Sequence, residues 1–210
     1  MTSLARTERS ELCDVLTEVG PDAPTLCEGW RAADLAAHLV IRERRPDAVA
    51  GELIKPLAPR QDRIQRGYAG LPWARLVDLV RTGPPRWSPL AIPAVDGAVN
   101  TVEYFVHHED VRRAQPGWEP RELSAQQQET LWRRLRSMSR LLLRRAPVGV
   151  ALRRPDGAIW RARGGGSYVT LAGPPAELVL YAFGRGDHAR VELLGEERDV
   201  AKLAATRFGF

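Results

Sequence analysis

Several familiar signals are missing from this chain. Only two of its 210 residues are cysteine, Cys13 and Cys27, with no CxxC pair and no zinc-knuckle spacing. That excludes a disulfide framework and predicts two free thiols in a reducing compartment. No apolar run approaches the length of a membrane span. The N-terminal MTSLARTERSEL mixes both charge signs too early for a secretory signal. Both features read as a cytoplasmic protein that is not embedded in a membrane. Lysine is nearly absent: of 31 basic residues only Lys55 and Lys202 are lysine. The net charge of +5, with 26 acidic residues interspersed, is therefore a statement about solubility, not about nucleic acid.

What is present is an ordinary globular composition, 44% hydrophobic and 27% charged, enough to bury a core in one large or two modest domains. The spacing predicts helices over residues 3–19 and 31–45, the latter with a continuation to about Leu53. Residues 59–70 lie between loop and short helix. Trp73, Leu76, Val77 and Val80 predict a helix stopping at Gly83. PPRWSPLAIPAVDG holds four prolines and reads as loop. Helices follow over 98–114 and from the N-cap Ser124 to about Arg145. After Pro147 short strands appear around a PDG turn, then at SYVTLAG and ARVELLG, interleaved with two short helices. The fold class expected is α+β: a bundle of about four long helices over residues 1–146, then a small α+β domain over 147–210.

The segment NTVEYFVHHEDVRRA, residues 100–114, breaks the core pattern. On a wheel of about 100° per residue, Glu103, His107 and Asp110 lie within about 60° of one another, inside the valine face. His108, Glu109 and Arg112 fall on the other side, so His108 is expected at the surface. An inward carboxylate and imidazole must be satisfied. A mutual hydrogen bond is one way, and a shared metal ion is another. Of the four histidines, His188 sits in a Gly-Arg-Gly-Asp turn and is expected to face solvent. His38 lies between Leu35 and Ile41 and faces the bundle. Two histidines and a glutamate suit zinc, or less selectively nickel, iron or manganese, and leave an open coordination position. Asp110 is placed to hold the free imidazole N–H. Trp87, Trp118 and Trp160 are expected to be buried anchors.

LCEGWRAADLAAHL, followed about 65 residues later by EYFVHHED, resembles the DinB / mycothiol-dependent maleylpyruvate isomerase N-terminal family of metal-binding bundles, closest to its actinobacterial metal-binding branch. The shared positions are Gly29, Trp30, Asp34, Leu35, His38 and Leu39, then Glu103, His107 and Asp110. The resemblance implies that His38, Glu103 and His107 hold the metal. VTLAGPPAELVLYAFGR resembles the small sterol-carrier-like domain that follows the bundle in these isomerases. Where the family often has Ser or Thr after the tryptophan, this chain has Arg31, which leaves Asp34 without a hydroxyl partner in a capping box.

The implied activity is that of a mycothiol-dependent transferase or isomerase. Zinc would activate a small-molecule thiol for attack on an electrophilic substrate. Asp110 would tune the site, and Arg42, one turn past His38, would meet an anionic group. The alternatives are a metal-dependent hydrolase, for which Asp110 is the available base, and a non-enzymatic metal-binding module. The arginine face at Arg136, Arg140 and Arg144 reads as a solvated amphipathic helix, with no motif pointing to nucleic acid. A monomer and a homodimer are both compatible with the sequence.

Overall fold

The computed structural model describes residues 3–45 and 58–209. By packing, the chain divides into two compact units, Met1–Glu119 and Pro120–Phe210. The described residues of the first unit form helices joined by loops, with one isolated β-bridge between Pro24 and Arg31. Helix α1 (Leu4–Val19) opens on Ser3, whose hydroxyl accepts from the Arg6 N–H, and closes at Gly20 with φ 81°. Helix α2 spans Ala32–Arg44. Its start uses half of a capping box: the Asp34 carboxylate accepts the Arg31 N–H at 3.0 Å, while arginine offers no acceptor in return. The expected continuation to Leu53 lies outside the described residues. Helix α3 (Ala58–Ala69) settles the ambiguous stretch as helix, and α4 (Trp73–Thr82) follows Pro72.

Helix α5 (Pro93–Arg112) starts earlier than expected. Proline was read as a loop signal there, but Pro93 occupies the first turn, where a missing N–H costs nothing and the fixed φ suits the helix. Leu12 and Leu16 from α1, Leu35 and Leu39 from α2, Leu76 and Val80 from α4, and Tyr104 and Val111 from α5 form one apolar core.

Gly83 ends α4 at φ 76°, and a Cβ there would meet the Arg9 guanidinium. Gly83→Ala therefore combines backbone strain with displacement of a buried ion pair. The expected loss is about 1–3 kcal/mol, read as a lowered urea midpoint; an unchanged midpoint would contradict it.

The second unit begins with helix α6 (Ala125–Leu142), capped by a full Ser124/Gln127 box. Strands β1 (Gly149–Arg153), β2 (Ile159–Arg163), β3 (Tyr168–Ala172) and β4 (Glu192–Leu194) form one sheet in the order β2-β1-β3-β4. The β1–β2 and β3–β4 pairs are antiparallel and β1–β3 is parallel. The chain passes from β1 to its parallel neighbour β3 through β2, helix α7 (Pro175–Ala182) joins β3 to β4, and α8 (Glu197–Ala204) packs against β3. Helix α6 packs on α7 and β2. It was expected with the first domain, which put the boundary at residue 146; here it groups with the strands. Its length and amphipathic pattern match those of the first-unit helices, so periodicity alone does not reveal which layer it joins. Leu131, Trp132, Leu135 and Leu142 are buried, and Arg136 and Arg140 are exposed. Among the described residues no helix is long and apolar enough to cross a membrane.

Candidate metal centre

The second half of helix α5 is buried on nearly all sides. From Thr101 to Val111 only Glu103 and His107 retain partial exposure. These two face α2, where His38 stands. His38 Nε2 lies 3.4 Å from Glu103 Oε1, and His107 Nε2 lies 3.3 Å from the same oxygen. Trp30 packs its ring 5.2 Å from that of His38, and the His38 and His107 rings meet edge-on at 5.5 Å. The three expected ligands thus converge on one point, their donor atoms all within 4.8 Å of one another.

The donor set fits a divalent ion. Two ligands about 2.0–2.1 Å from a tetrahedral zinc ion stand about 3.3 Å apart, and the nitrogen–oxygen separations of 3.4 and 3.3 Å match. Two imidazoles and one carboxylate are the borderline donors such an ion takes.

Behind the ligands lies a supporting layer. His107 Nδ1 is 2.9 Å from Asp110 Oδ2, which leaves Nε2 to face Glu103. This carboxylate–histidine pairing fixes the ring and raises its basicity as a ligand. Asp110 is fully buried and lies on the Nδ1 side of the ring, away from the convergence point. Asp110→Ala is expected to weaken metal affinity about 10–100-fold with the fold intact. A competition titration with a chromogenic chelator reads this, and an unchanged affinity would contradict the role.

Arg42 places Nε 3.3 Å from Glu103 Oε1 and donates from its guanidinium to Asn100 Oδ1 at 2.6 Å. Asn100, fully buried, donates in turn to Glu43 at 3.1 Å and Asp96 at 2.8 Å. Both carboxylates meet Arg9, Glu43 at 2.6 Å and Asp96 at 3.3 Å. A chain of alternating charge therefore runs from Arg9 to Glu103 and fixes Arg42 at the edge of the site.

Burial opposes charge on both Glu103 and His107, but their partners outweigh it. Hydrogen bonds from His107 and His38, with the Arg42 charge, hold the Glu103 carboxyl well below the usual carboxylate range. Hydrogen bonds with Asp110, Cys27 and Glu103 hold His107 well above the usual imidazole range.

Some expectations are corrected. His108, expected at the surface, is 2% exposed, with Nδ1 2.8 Å from Glu8 Oε2 on α1. Glu109 is buried too, against Arg112 and Arg113. A wheel that scores only apolar residues does not see a face buried through ion pairs. The valine face does not extend to the start of the helix, where Val99 is exposed. Trp87, expected as a buried anchor, is 70% exposed. Trp118 lies under Arg113, and Trp160 donates to Ser139 and lies under Arg136. His188, expected to face solvent, is half-buried in a 3-10 turn of the second unit.

Cys27 was missed as part of the site. Its Sγ lies 3.2 Å from Asp110 Oδ2 and 3.9 Å from His107 Nδ1. The signal was its place in LCEGW, two residues before the glycine turn that delivers Trp30 to His38.

No family model and no curated protein matches this sequence. Two solved structures match its fold. One is a histidine-to-alanine mutant of the mycothiol-dependent maleylpyruvate isomerase, 19% identical, with a TM-score of 0.59, covering 92% of this chain and 91% of that one. The other is the mycothiol-dependent maleylpyruvate isomerase itself, also 19% identical over the same shares, with a TM-score of 0.54. At that identity the likeness is one of fold: the protein has a mixed α+β architecture like that of this isomerase.

Proposed function

We propose that the protein is a metal-dependent enzyme that handles a small-molecule thiol, of the mycothiol type, as a transferase or isomerase. The observation that carries this reading is the approach of His38 Nε2 and His107 Nε2 to one oxygen of Glu103. His38, Glu103 and His107 would hold a divalent ion, zinc by donor chemistry. An ion bound by three protein groups supplies an open position and a Lewis acid that favours the thiolate form of a thiol at neutral pH.

The chain's own groups do the rest. Asp110 orients His107 by accepting its Nδ1–H. Arg42, fixed by Asn100, offers a guanidinium at the edge of the site to a carboxylate of the thiol or its electrophilic partner. The first unit is read as a DinB-like helix bundle and the second as a sterol-carrier-like domain. The fold likeness to a mycothiol-dependent enzyme supports the thiol reading. Hydrolysis finds less support, because Asp110, the base it requires, is fully buried on the far side of His107.

Metal content of the purified protein, followed by thermal shift with mycothiol, tests the proposal. About one ion per chain, and a melting temperature raised by mycothiol only in the metal-loaded protein, are expected. A metal-loaded protein indifferent to mycothiol would overturn the thiol assignment.

The site also predicts a pH dependence. His107 without metal titrates above its ordinary value of 6.5, so binding an ion displaces a proton and strengthens as pH rises. In the metal-free chain its contribution to stability is complete below about pH 6.5 and is lost as pH rises through the folded value. Glu103 has the opposite sign: its contribution is present above its ordinary 4.5 and lost as pH falls through its folded value. Calorimetry in buffers of different ionisation enthalpy should show proton release on metal binding at neutral pH; none would contradict the assignment.

A further inference from the structure

His107 has two faces, and the proposed centre uses only one. Its Nε2 side meets His38 and Glu103. Its Nδ1 side meets a second group of donors, Cys27 Sγ and Asp110 Oδ2. Here Nδ1 is 2.9 Å from Oδ2, Sγ is 3.2 Å from Oδ2, and Sγ is 3.9 Å from Nδ1. Around an ion with bonds of about 2.3 Å to sulfur and 2.0–2.1 Å to nitrogen and oxygen, neighbouring donors stand about 3.3–3.6 Å apart. Shifts of a few tenths of an ångström bring all three to that spacing. Cys27 is half-buried, so the group is reachable from solvent, whereas Cys13 is fully buried. The loop is held in register at this point, since the Leu26 N–H donates to the Asp110 carbonyl at 3.0 Å.

We infer that Cys27, Asp110 and His107 Nδ1 form a second coordination set, selective for thiophilic divalent ions such as cadmium. A thiolate among the donors is what separates this set from the first, which has only nitrogen and oxygen. On binding, the Cys27 S–H bond breaks, its proton leaves to solvent, and the sulfur lone pair forms the metal–sulfur bond. The Asp110 carboxylate and an unprotonated Nδ1 supply the other two bonds, and no electrons change hands. The Nδ1 proton is likewise released to solvent, and an imidazole bound through Nδ1 keeps its remaining proton on Nε2, so occupancy here withdraws His107 from the first set. The site would thus make the proposed centre sensitive to thiophilic metal. The second set stands on its own geometry, whether or not His38 and Glu103 hold an ion; an ion held there competes with it for His107.

Cadmium titration of the full chain, followed through the ultraviolet thiolate-to-cadmium charge-transfer band, tests this. The wild type should develop the band, His38→Ala should retain it, and Cys27→Ser should lose it. In the wild type, cadmium should slow alkylation of Cys27, mapped on its peptide, by about tenfold by withdrawing the thiolate. No band in the wild type, a band that survives in Cys27→Ser, or alkylation of Cys27 unaffected by cadmium would each overturn the second set. Failure of the proposed centre is read separately: zinc content that His38→Ala does not change, alongside a Cys27-dependent cadmium band, removes the first set and leaves the second.

Discussion

His107→Ala is expected to take the purified protein from about one bound divalent ion per chain to below about a tenth of one. The substitution removes a donor from the convergence point and also leaves Asp110 without the imidazole N–H it accepts. Glu103→Ala should be nearly as severe, since its Oε1 is the atom both histidines approach. His108→Ala, one residue along, should leave metal content unchanged. It instead removes the buried imidazole whose Nδ1 lies 2.8 Å from Glu8 Oε2, and should cost stability of about 1–3 kcal/mol. The neighbouring pair is therefore a built-in control: one alanine removes metal, the other removes stability. Elemental analysis and urea denaturation of the two variants read the difference. Loss of metal in His108→Ala with His107→Ala unaffected would reverse the assignment.

Arg9→Ala is the largest stability loss expected in the first unit. Arg9 meets Glu43 and Asp96, and its guanidinium lies 4.5 Å from the centre of the Tyr104 ring. Truncation takes the guanidinium from two buried carboxylates that share the Asn100 amide as a donor. Breaking a buried ion pair from one side costs about 3–5 kcal/mol. The loss should depend on pH. Burial already pushes the Glu43 carboxyl up, with Arg9 opposing it. A raised folded value means stability present at low pH and lost as pH rises through it. Without Arg9 that value rises further, so the variant should be hurt more at mildly alkaline than at mildly acidic pH. Urea midpoints at the two pH values check this. A loss under about 1 kcal/mol at both, or a larger loss in acid, would contradict it. The same network fixes Arg42 through Asn100, so Arg9→Ala should also loosen the edge of the metal site.

The sequence anticipated the convergence of three polar side chains better than it anticipated the architecture. His38, Glu103 and His107 were legible because each interrupts an apolar stripe with a group that burial alone would penalise. Glu103 and His107 stand one turn apart on a single helix, and His38 faces them from α2 because its own stripe is inward. His108 was misjudged for the converse reason. Its partner Glu8 lies 100 positions earlier, and no local pattern pairs them. Asn100, Asp96 and Glu43, with Arg9, belong to the same class: polar groups buried by one another across three helices, paired over distances that no local pattern spans. Pro93 misled because proline marks both a loop and a first helical turn, and only the following residues decide which. Helix α6 kept its limits within a few residues but not its neighbours. Its apolar face is equally suited to helices or to a sheet, and the choice is made by α7 and β2, which come later in the chain.

The central claim is that two imidazoles and one carboxylate hold an ion whose open position takes a thiol. X-ray absorption at the metal edge tests it most directly, on the purified zinc-loaded protein before and after adding mycothiol. The account predicts two imidazoles and an oxygen donor, with no sulfur, before addition and one new sulfur afterwards. A shell that contains sulfur from the outset, lacks imidazole, or is unchanged by the thiol would contradict it.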